Sequence, residues 1–184
     1  DLEEVVKDLE RKLRDVARKD RKLVEDSRKI LKDVVDKDRE LVERSRRILE
    51  EVLERIRRRG TDETTVKDIK RRLDEVLKEN DDDSKRATEE LRKLLEDNKR
   101  KSDEARRRIK KILDEIKDET RKGTSRDTAR KLLEDVADEL RRWLEDSERL
   151  HKENKDTIEK WLRRSRKLHE ENRKLIEDLL RTVT

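Results

Sequence analysis

Two sets of residues in this sequence have types that could do chemistry. Ser147, His151 and Asp20 form one set, and Ser165, His169 and Asp38 repeat it 18 residues further along. A Ser, a His and an Asp can serve as nucleophile, general base and orienting carboxylate. The His and Asp are also potential metal ligands. Both chemistries ask for more. An acyl-transfer nucleophile needs an oxyanion hole and a pocket, yet the only glycines are Gly60 and Gly123, far along the chain from either serine. A metal needs its ligands together, whereas 18 helical residues separate the two His by about 27 Å. Each set then offers one His with weak oxygen ligands. The expectation is no enzyme, no catalytic or cofactor-binding residue, no metal, and no small-molecule ligand.

The elements that carry these residues are legible from composition and spacing. Of 184 residues, 58% are charged and 28% hydrophobic, and Pro, Cys, Met, Phe and Tyr are absent. Without Cys there is no disulfide framework and no thiolate or redox site. No apolar run approaches the ~18 residues of a membrane span, and no signal peptide is visible. So charged a chain raises disorder first, but patterning decides against it. The apolar residues fall on stripes at helical pitch, as in Val16, Leu23, Ile30, Val34, Leu41, Ile48, Val52 and Leu53, with charge elsewhere. None is left stranded outside a stripe.

Both glycines sit where a helix should stop. Arg57–Arg59 precede Gly60, with Asp62 as N-cap; Arg121-Lys122 precede Gly123, with Thr124 or Ser125 as N-cap. The reading is all-α: three helices near 1–59, 62–121 and 125–183, each roughly 90 Å long. Short loops make neighbours antiparallel, so residues 1–184 are expected to form one elongated up-down-up three-helix bundle. Asn80-Asp81-Asp82-Asp83-Ser84 resembles a loop, but Leu73, Val76, Asn80, Ser84 and Ala87 recur in phase as Leu91, Leu94, Asn98, Ser102 and Ala105. Continuity is favoured, with the Asp residues on an exposed face pairing Asp81–Lys85 and Asp82–Arg86.

The 18-residue repeat runs within each helix. Eighteen residues are five turns, so the apolar face returns without drift and nearly straight helices are expected. Polar residues interrupt the stripes at matching heights. Folding about the loops sets residue i of the first helix against about 121 − i of the second, and j of the second against about 246 − j of the third. Asp38 then meets Asn80, Ser84 and Ser165, while Ser45 meets His169 and Asn172. One repeat away, Asp20 meets Asn98, Ser102 and Ser147, while Ser27 meets His151 and Asn154. A core Asp or Asn is costly unless its hydrogen bonds are met. Two matching sets of donors and acceptors read as buried networks that specify helix order and register.

On these features the chain resembles a de novo designed helical bundle with modular hydrogen-bond networks. The cap-Gly-cap loops, charge-saturated surface, Leu/Ile/Val stripes and copied Ser/Asn/His/Trp layers carry the resemblance across the whole chain. Scarce Ala and many mid-helix Asp depart from the usual style. The resemblance implies a synthetic scaffold without natural activity, soluble and cytoplasmic when expressed, or half of a designed heterodimer, a switch part or a subunit of an assembly.

Several side questions follow from single residues. Charging a buried His is unfavourable unless an Asp is close, so partial destabilisation is expected below about pH 5. Trp143 and Trp161 are expected to pack on the stripe edge with their N–H bonded to a layer residue; the rival is a binding hot spot. The net charge of +5 is small and interleaved, and no aromatic platform exists, so no nucleic-acid function is expected. A closed bundle also offers nothing to a membrane surface. The stripes span about 140°, 100° and 120° in chain order. The wide first stripe either packs more deeply in a monomer needing no partner, or leaves an edge for a designed helical partner or self-association.

Overall fold

With no Pro, and no Gly inside any of the three amphipathic stripes, the backbone stays helical for long stretches. The computed structural model describes residues 2–121 and 127–183, in three helices: α1 (Leu2–Arg59), α2 (Glu63–Arg121) and α3 (Asp127–Val183). No strand occurs among the described residues. The chain is an all-α three-helix bundle. α2 passes through Asn80–Ser84 without a break.

The α1–α2 turn has the chemistry its sequence announces. Gly60 takes φ 71°, a left-handed conformation that costs a side-chain-bearing residue more than glycine. Its N–H bonds to the Ile56 carbonyl at 2.9 Å. Asp62 caps α2: its Oδ1 accepts the Thr65 N–H at 2.7 Å and its carbonyl accepts the Val66 N–H at 2.9 Å. The companion cap at Gly123, with Thr124 or Ser125, lies outside the described residues.

The helices contribute to two compact units. One takes the chain up to Arg28 together with Leu94–Thr157; the other takes Lys29–Lys93 with the chain from Ile158 on. In the first unit Leu9 of α1, Ile112 and Ile116 of α2, and Leu133, Ala137 and Leu140 of α3 form one buried cluster. Val16, Ala105 and Ile109 form another. In the second unit Val52 packs with Ile69, Leu73, Val76, Ile176 and Val183. Within each unit α2 runs against α1 and α3 runs with it.

Register is shifted from the sequence expectation. Ser27 bonds to Asn98, so α2 meets α1 near 125 − i. Asn98 bonds to Asn154, and Asn80 to Asn172, so α3 meets α2 near 252 − j. The first offset differs by about a helical turn and the second by more; the first fold point lies beyond Gly60, at Asp62, which caps α2.

The stripes are not wholly covered. Ile30 and Leu53 of α1, and Leu132, Trp143 and Leu175 of α3, are exposed, Leu175 by 58%. The expectation that no apolar residue lies outside fails at these five positions.

Candidate functional site

Each unit carries its own buried polar layer, and each layer resolves into two tiers. The offset between α1 and α3 is the same throughout: Asp20–Ser147, Ser27–Asn154, Asp38–Ser165 and Ser45–Asn172 are each hydrogen-bonded across 127 residues. The repeat explains this. Once one pair is in register, a second set spaced by five full turns falls into register too.

The asparagine tiers are near-copies. In the first unit Asn154 Nδ2 donates to Ser27 Oγ at 3.3 Å and also to Asn98 Oδ1. Ser27 Oγ lies 2.8 Å from the Leu23 carbonyl, and Asn98 Nδ2 donates to the Leu94 carbonyl at 2.8 Å. In the second unit Asn172 Nδ2 donates to Ser45 Oγ at 3.1 Å and to Asn80 Oδ1 at 3.0 Å. Asn80 Nδ2 donates across to the His169 carbonyl at 3.0 Å. All six side chains are buried.

The Asp–Ser–His tiers differ in an informative way. In the first unit Ser147 Oγ donates to Asp20 Oδ2 at 2.6 Å, and His151 Nε2 lies 3.0 Å from Asp20 Oδ1. Both oxygens of Asp20 are thus engaged, and His151 Nδ1 is buried without a partner. In the second unit Ser165 Oγ donates to Asp38 Oδ2 at 2.8 Å. His169 Nε2 turns instead to Asp83 Oδ2 at 2.8 Å and stands 3.4 Å from Asp38 Oδ1. His169 Nδ1 faces the Ser165 carbonyl oxygen at 2.6 Å. With acceptors opposite both ring nitrogens, the imidazolium is the form this site favours.

Ionisation follows from those contacts. Burial pushes Asp38 up to about 6; the Ser165 hydrogen bond opposes this and the Asp83 carboxylate adds to it. Burial would raise Asp83 too, but hydrogen bonds from His169 and Arg86 hold it well below the carboxylate range. Burial alone would lower His169; its bonds to Asp83 and the Ser165 carbonyl, with the charge of Asp38, raise it instead.

The sequence-predicted residues are brought together with two exceptions and one exchange. Ser84 and Ser102 are only half-buried, and neither hydrogen-bonds to a layer among the described residues. The His residues pair with Asp20, Asp38 and Asp83 rather than with Ser27 and Ser45, and the α2 asparagines pair with the serine tier rather than with Asp20 and Asp38. Both changes follow from the register shift. Neither Trp bonds to a layer among the described residues: Trp143 is exposed, and Trp161 lies beneath Arg164, 5.0 Å from guanidinium carbon to ring centroid. One residue was missed. Asp83 is not on an exposed face; it points at His169, and Arg86 pairs with it at 2.7 Å rather than with Asp82. Its signal was a break in the repeat, since the position 18 residues on is Lys101.

A nucleophile–base pair is not assembled in either tier. Both hydroxyls donate to an Asp. Ser165 Oγ is 3.4 Å from His169 Nδ1, but that nitrogen is turned to a carbonyl acceptor and donates to it, so it cannot also accept the serine proton.

These features define a three-helix bundle with buried polar layers. Among known proteins, the chain matches no family model and no curated protein. Among solved structures it is similar to a computationally designed three-helix bundle, with a TM-score of 0.59 and 20% identity over 99% of this chain and 90% of that one. At that identity the likeness is one of fold. No helix among the described residues is long and apolar enough to cross a membrane.

Proposed function

We propose that the chain is a de novo designed structural scaffold with no natural biochemical activity, in which the polar layers specify how the helices pair. One observation carries this reading: the same two α1–α3 bonds, Asp–Ser and Ser–Asn, recur at one offset in both units. A slip of any helix by one turn would leave buried amides and carboxylates unsatisfied, at about 1–3 kcal/mol for each group. An apolar stripe alone imposes no such penalty, because one Leu serves much like the next. The fold likeness to a designed three-helix bundle and the restricted residue palette support a designed origin.

The test replaces both asparagine tiers by apolar residues: Ser27→Val, Asn98→Leu, Asn154→Leu, with Ser45→Val, Asn80→Leu and Asn172→Leu. The variant should stay helical and resist denaturant at least as well, yet show several sets of amide resonances or mixed oligomers. A single set of resonances in a monomeric species would show that the layers do not specify pairing.

A second reading has its own observation. The large exposed hydrophobic residues lie on α1 and α3, while the stripe of α2 is buried or half-buried. This favours an interaction component that packs a further helix, from a designed partner or a second copy, against α1 and α3. Light scattering on the isolated chain tests self-association. A single 22.5 kDa species that binds no hydrophobic dye would remove this reading altogether.

A further inference from the structure

We propose that Asp38, Asp83 and His169 form a binding site for a divalent transition cation of the zinc type, in the second unit only. Asp38 Oδ1, Asp83 Oδ2 and His169 Nε2 all lie within 4.8 Å of one another. Asp38 is 96% buried, from its 4% exposure, and its Oδ1 has no hydrogen-bond partner. That unpartnered oxygen faces His169 Nε2 at 3.4 Å, into the cluster. Burying a carboxylate oxygen without a partner is costly, and a cation would remove that cost.

The remaining atom of every ligand is already held. Asp38 Oδ2 accepts the Ser165 hydroxyl at 2.8 Å, and Asp83 Oδ1 accepts Arg86 Nη2 at 2.7 Å. His169 Nδ1 donates to the Ser165 carbonyl at 2.6 Å. Metal-binding imidazoles are ordinarily oriented by such a bond from the other ring nitrogen, and ligating carboxylates are likewise hydrogen-bonded. Tetrahedral zinc, with bonds of about 2.0–2.1 Å, sets neighbouring ligand atoms about 3.3 Å apart. The His169–Asp38 separation of 3.4 Å fits without movement. The His169–Asp83 separation of 2.8 Å must open by about half an ångström. One imidazole with two carboxylates suits a zinc-type ion better than calcium or magnesium, which take oxygen ligands throughout. Two carboxylates also neutralise a divalent charge, and a water completes the fourth position. Asp83 borders a surface recess shared with Leu41, Arg44 and Arg86.

The first unit is a built-in control. Its counterpart of Asp83 is Lys101, which is exposed, and both oxygens of Asp20 are engaged by Ser147 and His151. Among the described residues it offers no third ligand beside His151, and Asp20 has no spare oxygen.

The test titrates Zn2+ into the tag-free full chain by calorimetry at neutral pH, with His-ring 1H–15N spectra recorded in parallel. One saturable equivalent per chain is expected, with the His169 Nε2 resonance moving and His151 unaffected. Asp83→Asn should weaken binding at least about tenfold with the circular dichroism spectrum unchanged. Should that variant unfold, the His spectra of the unmodified chain decide alone. No saturable binding at millimolar Zn2+, equal shifts of both His residues, or affinity that survives Asp83→Asn in a folded chain would each overturn the proposal.

Discussion

His169 Nε2 lies 2.8 Å from Asp83 Oδ2, and this contact, present in only one of the two layers, sets the direction of the pH response. Charging a buried His without a carboxylate partner would destabilise the fold in acid. Here the partner is present. Because His169 is raised, its contribution is complete below the unfolded value of about 6.5 and is lost as pH rises through the folded value. Asp38, raised to about 6, acts in the same direction: its cost grows as pH rises from the unfolded value of about 4 to about 6 and is complete above that. Asp83 is lowered, so its contribution exists above about pH 4 and is lost as pH falls through its folded value.

The second layer should therefore be most stabilising near pH 4 and weaken from there toward pH 8. Urea midpoints should be higher near pH 5 than near pH 8, and His169→Gln should shrink the difference. A midpoint that climbs steadily from pH 5 to 8, equally in the variant, would contradict this.

Asn98 and Asn154 share a hydrogen bond inside the first unit, and Ser27 joins both. Asn154→Ala removes one of the two donors to the Asn98 side-chain carbonyl, leaving Ser27, and should cost about 1–3 kcal/mol. In a double-mutant cycle with Asn98→Ala, the two losses should be sub-additive by about 0.5–3 kcal/mol. Denaturant unfolding of the four proteins measures this directly. Additive losses would mean that the amides act independently.

Leu73 has no exposed surface, whereas Leu175 is 58% exposed. Leu73→Ala should cost about 2–5 kcal/mol through lost burial and a residual cavity. Leu175→Ser should stay within about 0.5 kcal/mol in the isolated chain. If Leu175→Ser instead abolished self-association seen by light scattering, the residue would belong to an interface.

Gly60 has φ 71°, and a Cβ built there meets nothing within 4 Å. Any loss in Gly60→Ala is then backbone strain rather than collision, and about 1 kcal/mol is expected. Gly60→Asn should lose less, since Asn tolerates this conformation better. Equal losses in thermal unfolding would point to some other cause.

Helices, caps and layers were legible in the sequence because each depends on local spacing. Apolar residues at three- and four-residue steps dictate which face is buried, Gly60 and Asp62 mark one boundary, and the 18-residue copy separates layer residues from surface ones. Among the described residues 13 polar side chains are buried, and all but Thr65 have a place inside a stripe that the spacing marks. Tertiary structure alone decided the partners. A shift of about one turn between helices leaves every stripe facing inward, so hydrophobic burial barely distinguishes the registers. Hydrogen bonds reach only about 3 Å, and that same turn changes which groups can meet. It moved the asparagines to the serine tier and the His residues to the carboxylates. It also turned Asp83, which spacing had assigned to the surface, into the third group around His169.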